Sequence, residues 1–324
     1  MKAIQYTKHG GYEVLQLIDK PATERQAGET LVQVTTAAVN VGDNIIRYGY
    51  FPGTPLPMIP GFEGGGRVLD SGDSGLKKGT RVMFTGPMGI YRDGTWQEQV
   101  SIPANLCVPV PEVLSDHEAA GFPIAYLTAY LSLIAGGFKP GKRVLAAAVG
   151  GAVGNAAVQL ANAMGAAKVI TTAGSTEKAK HAQEHGYSTV IDLSKENLNE
   201  RILELTSGEG VDIILDGIGS NFTNKAVQAL ANGGTHVMYG GVAGGETTIN
   251  VFDLIFKGSK MIGFASLVAQ PIEDIANAYT VLLELVGRKA IRPVVAKAFP
   301  LEEAANAQRY LAERRPFGKV LLDM

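Results

Sequence analysis

The chain has 324 residues, 46% apolar and 19% charged, which is enough to bury cores in two domains and too apolar for global disorder. A formal net charge of −2 and a pI near 6.2 provide no electrostatic grip on nucleic acid or on an acidic membrane surface. The single cysteine, Cys107, excludes a disulfide framework and any zinc site built from several thiolates.

The opening residues, Met1 to Tyr6, carry no apolar signal region. No stretch reaches the roughly 18 uninterrupted apolar residues of a membrane span, so a cytoplasmic protein is expected. Residues 1 to about 120 read as short β-runs such as Glu29 to Thr35, Thr80 to Phe84 and Trp96 to Ile102. Gly and Pro punctuate them, most densely from Gly49 to Gly66. Cys107 lies in an apolar extended stretch, where a buried small hydrophobe is expected rather than a nucleophile. Ser115 followed by Glu118 is a helix-opening N-cap.

From there the pattern becomes a β-α alternation. Strands are expected at Arg143 to Ala148, Lys168 to Ala173, Thr189 to Leu193, Val211 to Asp216, Thr235 to Tyr239 and Met261 to Phe264. Helical stretches such as Asn155 to Met164 and Thr176 to Glu184 lie between them, which implies a parallel sheet with crossover helices on both faces. After about Val268 come a long helix, a strand, a second helix and a last strand from Lys319 to Leu322, a tail expected to return to the first domain. The expected α/β organisation is a mainly-β substrate domain, residues 1–122 and 268–324, into which a doubly wound Rossmann domain, residues 123–267, is inserted.

Glycine is over-represented, at 40 residues or about 12% against a usual 7% or so, and much of it is clustered. Such clusters (Gly64 to Gly66, Gly150-Gly151, Gly240-Gly241) suggest tight turns and close backbone approach to a ligand. In Ala148-x-x-Gly151-x-x-Gly154 an apolar strand runs into a glycine turn and then a helix of small residues, a variant of the dinucleotide fingerprint. Gly151, Ala152, Val153 and Gly154 would put unpaired N–H groups and a positive dipole end against a pyrophosphate. The second strand ends at Gly174 and Ser175 without the carboxylate that would accept from a ribose 2′-hydroxyl, and Lys178 follows one turn later. That arrangement favours a 2′-phosphate and so predicts NADPH. A solvated helix lysine is the alternative account of Lys178.

Taken in order, Asn40-x-x-Asp43-x-x-x-Arg47-x-Gly49, Pro60 to Gly66, Lys78 to Val82, Glu118 to Pro123, Leu127 to Tyr130 and the glycine turn resemble the medium-chain dehydrogenase/reductase superfamily, in its zinc-free quinone oxidoreductase branch. The resemblance spans nearly the whole length. It implies a GroES-like substrate domain, a Rossmann domain and a homodimer joined through its Rossmann sheet edges. Zinc-dependent relatives carry ligands where this chain has Asn40, Phe62 and Ile124, none of which supplies the N or S donors zinc prefers, so no metal is expected. His181 and His185 have ligand spacing on a helix but no third partner in view.

Without a Lewis acid, a conjugated acceptor that delocalises the incoming charge is favoured over a simple ketone. The leading expectation is an NADPH-dependent quinone reductase. An enone or enal double-bond reductase is one alternative, and a redox-silent NADPH-binding interaction protein is another. By resemblance the nicotinamide is expected near Asn40, Thr128 and the turn Tyr239-Gly240-Gly241-Val242, with the backbone of Phe264, Ala265 and Ser266 at its carboxamide. Similar enzymes carry tyrosines where this chain has Ile45 and Phe51, which leaves Tyr48 or Tyr50 as candidate proton donor and Arg47 as an orienting or substrate-facing charge. Asn40 and Asp43 could equally cap a helix, and the two roles are compatible.

Overall fold

The computed structural model describes residues 1–86, 88–264, 269–313 and 316–324. The chain folds as two compact units. The first comprises Met1–Ala125, Pro271–Gly287 and Arg292–Met324; the second comprises Tyr126–Gln270 and Arg288–Ile291.

In the first unit a seven-stranded sheet is built on the long strand Glu29–Val39, whose alternating burial is the period-2 signature of a strand with one covered face. It pairs antiparallel with Glu63–Asp70 and Gln99–Pro103, and its far end pairs with the last strand, Lys319–Asp323. Glu63–Asp70 continues to Arg81–Thr85 and Cys107–Pro109, while Lys319–Asp323 pairs in parallel with Val295–Pro300. The glycines from Gly64 to Gly66 therefore lie in a strand, not at a ligand turn as expected. A Cβ at Gly66 would come within 2.0 Å of the Gln33 carbonyl oxygen, and one at Gly64 within 2.8 Å of that of Thr36, so these glycines let neighbouring strands approach. Ser115 caps the helix Asp116–Ala120 as expected, with Glu118 returning to the Ser115 N–H at 2.8 Å.

The second unit holds six parallel strands among the described residues: Arg143–Ala146, Lys168–Ala173, Val190–Asp192, Val211–Asp216, Leu230–Met238 and Lys260–Gly263. Numbered along the unit, their spatial order is third, second, first, fourth, fifth, sixth, which is the doubly wound dinucleotide-binding order. The core packs Leu145, Ile170, Ile191, Ile214 and Leu230 of five strands against Leu198, Ile202, Phe222 and Ala226 of the crossover helices. The first strand stops two residues short of expectation because Ala148 turns into the left-handed region, at φ 60°. The order reverses beside this strand, and in such sheets the crevice at the carboxyl ends of the reversing strands receives the ligand.

Candidate active site

At that crevice each glycine of the first turn answers to a different constraint. A Cβ on Gly154 would stand 2.3 Å from the Ala148 carbonyl oxygen and 2.4 Å from that of Ala147, so only glycine lets the helix Ala152–Ala163 lie against the strand. A Cβ on Gly151, the N-cap, would meet nothing nearer than 3.4 Å. Protein packing does not demand glycine there. Its bareness leaves the helix N–H groups from Ala152 and Val153 onward open to an anion.

The second strand ends in the same manner. Gly174 is exposed, and a Cβ there would find nothing within 4 Å. Ser175 caps the helix Thr176–Glu184 by accepting the Lys178 N–H at 3.3 Å, which places the half-buried Lys178 in the first turn. One acidic group escaped the sequence reading. Asp192, at the end of the adjacent strand, accepts the Thr176 hydroxyl at 2.6 Å and both the N–H and hydroxyl of Ser194. Bonds from Ser194 and then Thr176 hold its carboxyl below the usual range. Three donors hold it, and it stands at the end of the third strand, not of the second where the ribose-binding acid is absent.

Two further turns meet at the same edge. The expected nicotinamide turn, Tyr239-Gly240-Gly241-Val242, is tied to a loop the sequence reading overlooked, Asp216 to Gly219. Tyr239 N–H donates to the Asp216 carbonyl, and Val242 N–H to that of Gly217. The contact is glycine on backbone: a Cβ at Gly219 would lie 2.4 Å from the Gly244 carbonyl oxygen. Asp216, fully buried, fixes its own loop by accepting from Ile218 N–H, Gly219 N–H, the Thr223 hydroxyl and His236. Burial opposes its charge, but the His236 and Thr223 bonds prevail and keep its carboxyl low. Phe264 donates its N–H to the Met238 carbonyl, leaving only its carbonyl for a ligand; Ala265 and Ser266 lie outside the described residues. Thr128 is nearly buried on the helix Pro123–Ala135.

In the first unit, Asn40 and Asp43 both take the capping role foreseen for them. Asn40 is the N-cap of the short helix Val41–Arg47, and the Asp43 carboxylate accepts its N–H at 2.6 Å. Burial is the main influence on Asp43 and pushes its carboxyl up to about 7; the Asn40 N–H and then the Lys319 charge oppose the shift. The Asn40 side chain is engaged elsewhere. Its Nδ2 donates to Glu63 Oε1 at 3.1 Å, and its Oδ1 accepts from Lys319 Nζ at 2.7 Å. Lys319 also forms an ion pair with Glu63, whose second oxygen accepts the Ile124 N–H at 2.7 Å. Neither charged residue was singled out from the sequence. A Lys and a Glu are ordinarily solvated, and only the sheet brings positions 63 and 319 together.

Arg47, Tyr48 and Tyr50 follow at the end of the same helix. Arg47 is 0% exposed: its guanidinium donates to Gln308, Asn44 and the Gly10 carbonyl and lies over the Tyr12 and Tyr48 rings. It fastens the segment around it, and a substrate-facing charge is not what the fold builds there. Tyr48 and Tyr50 stack on each other with centroids 6.0 Å apart, and Tyr50 is 78% exposed. Phe62, Ile46 and Ile90 form an apolar cluster flanked by Phe51 and Ile124. Cys107 is buried, which pushes its thiol up to about 12 and makes it inert as a nucleophile.

The positions that carry zinc ligands in metal-dependent relatives thus hold an amide, a phenyl ring and an alkyl chain. The amide is gripped by a buried ammonium, against which a dication would be repelled. These residues do not fit zinc. Among the described residues no three His, Cys, Asp or Glu side chains converge as a ligand set; His181 and His185 are exposed helix neighbours.

Residues 26–112 match the family described as alcohol dehydrogenase GroES-like domain, and residues 152–285 that described as zinc-binding dehydrogenase. A quinone oxidoreductase of Pseudomonas aeruginosa is 33% identical, over 99% of this chain and 99% of its own. The synaptic vesicle membrane protein VAT-1 homolog of Rattus norvegicus is 31% identical, over 99% of this chain and 84% of its own. The crystal structure of Escherichia coli quinone oxidoreductase complexed with NADPH superposes over 100% of both chains with a TM-score of 0.90 at 30% identity. With a Rossmann unit, a GroES-like unit and an amide, a phenyl ring and an alkyl chain where zinc ligands would stand, this chain belongs to the zinc-free quinone oxidoreductase branch of the medium-chain dehydrogenase/reductase superfamily.

Proposed function

We propose that this chain is an NADPH-dependent reductase whose acceptor is a quinone. The observation that carries the proposal is the first turn of the nucleotide unit, where Gly154 is required by packing and Gly151 is not, leaving an uncovered helix start for a pyrophosphate. Gly174, Ser175 and Lys178 supply the room and charge for a 2′-phosphate, and the Tyr239 to Val242 turn with Phe264, Ala265 and Ser266 is assigned to the nicotinamide. The bound cofactor supplies the hydride. In the first unit the oriented Asn40 amide and the apolar cluster of Phe62 and Ile124 suit a flat conjugated acceptor, whose charge after hydride addition spreads through its π-system. Tyr48 and Tyr50 are the hydroxyls available for the following proton.

Steady-state NADPH oxidation with 1,4-benzoquinone, 9,10-phenanthrenequinone, a 2-alkenal and 1-octen-3-one tests this. Turnover confined to the quinones supports it, while turnover confined to the enone and enal moves the assignment to double-bond reduction. Cofactor binding with no turnover on any of the four leaves a redox-silent NADPH-binding protein. In the same assay the Tyr48→Phe/Tyr50→Phe double variant should lose on the order of 10²-fold in kcat if either hydroxyl is the acid. A change within twofold would hand the proton to water or to the ribose.

NADPH should bind at least about tenfold tighter than NADH, and Lys178→Ala should weaken NADPH alone, by at most about 1.5–3 kcal/mol, the range for a hydrogen bond to a charged group. Fluorescence titration with both cofactors reads this; equal affinities for the two in the parent chain would remove the 2′-phosphate assignment.

A homodimer is also expected. Among the described residues the strand Lys260–Gly263 is an edge of its sheet, and just before it in the chain Val251, Phe252, Ile255 and Phe256 are exposed, Phe256 by 80%. The Phe252 and Phe256 rings stack at 5.2 Å. An uncovered edge beside an apolar patch is a surface that proteins ordinarily cover. Light scattering at micromolar concentration should give twice the chain mass, and a monomer would count against this face as the interface.

A further inference from the structure

We propose that Lys319 and Glu63 are positioning residues that lock the Asn40 carboxamide in one orientation, so that a buried ion pair does for this amide what metal coordination does for the ligands of zinc-dependent relatives. The proposal rests on the reductase assignment for its catalytic meaning, although the lock itself can be tested without turnover.

Three observations converge on it. Asn40 Oδ1 accepts from the Lys319 ammonium at 2.7 Å and its Nδ2 donates to Glu63 at 3.1 Å. Rotating the amide by half a turn would set its NH2 against an ammonium and its oxygen against a carboxylate, so one orientation is fixed. The ion pair is deeply placed, with Lys319 4% and Glu63 0% exposed, whereas Asn40 is only half-buried. Asn40 is thus the tip through which a buried charged network reaches the surface of the first unit.

The frame is also built for the lysine. Its stem lies on Gly121, where a Cβ would come within 2.8 Å of Lys319 Cγ although the backbone there is not left-handed; the glycine is needed for room. Glu63 is held from its other side by the Ile124 N–H and, through its own carbonyl, by the Thr95 hydroxyl at 2.9 Å. With Nδ2 giving one of its two hydrogens to Glu63, the second is presented in a fixed direction. That suits an acceptor oxygen gaining negative charge or a ribose hydroxyl.

Removing one partner strands the other's charge in the interior, so single substitutions risk unfolding. The informative variant is Glu63→Gln/Lys319→Met, which discharges both and keeps similar volumes. In the parent chain, ¹⁵N-correlated spectra should show an exchange-protected NH2 pair for Asn40 among those of the buried amides, assigned by its loss in Asn40→Ser. In the double variant, at a retained melting temperature, the pair should lose that protection; kcat should fall about tenfold or more while the NADPH dissociation constant stays within about twofold. An Asn40 pair that stays protected in the double variant overturns the lock. Loss of protection with unchanged kcat overturns the positioning role. If the parent chain turns over no acceptor, the reductase assignment fails separately and the lock is decided by the spectra alone.

Discussion

Replacing Gly154 with alanine should destabilise the nucleotide unit by about 3 kcal/mol or more and abolish NADPH binding, while Gly151→Ala should leave the fold nearly intact and weaken only the cofactor. The new Cβ at 154 would lie 2.3 and 2.4 Å from two backbone carbonyl oxygens, which belong to the turn and cannot swing aside as a side chain can. Relief requires lifting the helix Ala152–Ala163 off the strand, which opens the contacts of Ala156, Ala157, Leu160 and Ala161, all fully buried. Overpacking of this kind costs about 1–3 kcal/mol or more, and here the lost helix packing adds to it. At 151 a methyl reaches only van der Waals distance from protein, at 3.4 Å, so what it obstructs is whatever approaches from outside. Urea melts combined with NADPH titration separate the two variants. A Gly154→Ala protein that melts within about 1 kcal/mol of the parent and still binds NADPH would contradict the close helix–strand approach.

A second large effect is expected from pH acting on Asp43. Unfolded, its carboxyl titrates near 3.9; folded, burial raises it to about 7. Below about pH 4 both states hold the proton and stability is at its fullest. As the pH climbs toward 7 the unfolded chain releases that proton while native Asp43 retains it, so unfolding becomes progressively easier; above about 7 the loss is complete. Three units of difference correspond to about 4 kcal/mol in all, of which about 3 kcal/mol falls between pH 5 and 8. Asp43→Asn cannot titrate, yet it keeps an oxygen to accept the Asn40 N–H. Denaturation of both proteins at pH 5 and pH 8 should show the parent chain losing about 3 kcal/mol relative to the variant. Parallel stabilities across that range would mean that Asp43 is ionised throughout.

The features that were legible in the sequence depend on local chemistry. The Ser115–Glu118 cap and the strand–turn–helix from Ala148 to Gly154 are each set within a few residues, and the β-α alternation follows from hydrophobic period. What stayed hidden depends on partners distant in the chain. Arg47 reads as a pocket charge until Gln308 and the Gly10 carbonyl take its donors. Gly64 to Gly66 read as a ligand turn until strand Glu29–Val39 is laid against them. Lys319 and Glu63 are 256 positions apart and become partners only because Lys319–Asp323 and Glu63–Asp70 flank the same strand. Two positions where similar enzymes carry tyrosine, 45 and 51, hold Ile and Phe, and no local signal names a replacement acid.

The strand Lys319–Asp323 pairs with a strand that begins at Glu29, and the second unit is encoded between them. During synthesis the residues of the second unit are therefore all available before the first unit can be closed. The far end of its long central strand, Thr36 to Val39, must wait for a neighbour that leaves the ribosome some 280 residues later, while the near end can already pair with Gln99–Pro103. The Asn40 amide acquires its partner ammonium at the same late moment, so a nascent chain could hold a finished nucleotide fold well before its amide is fixed.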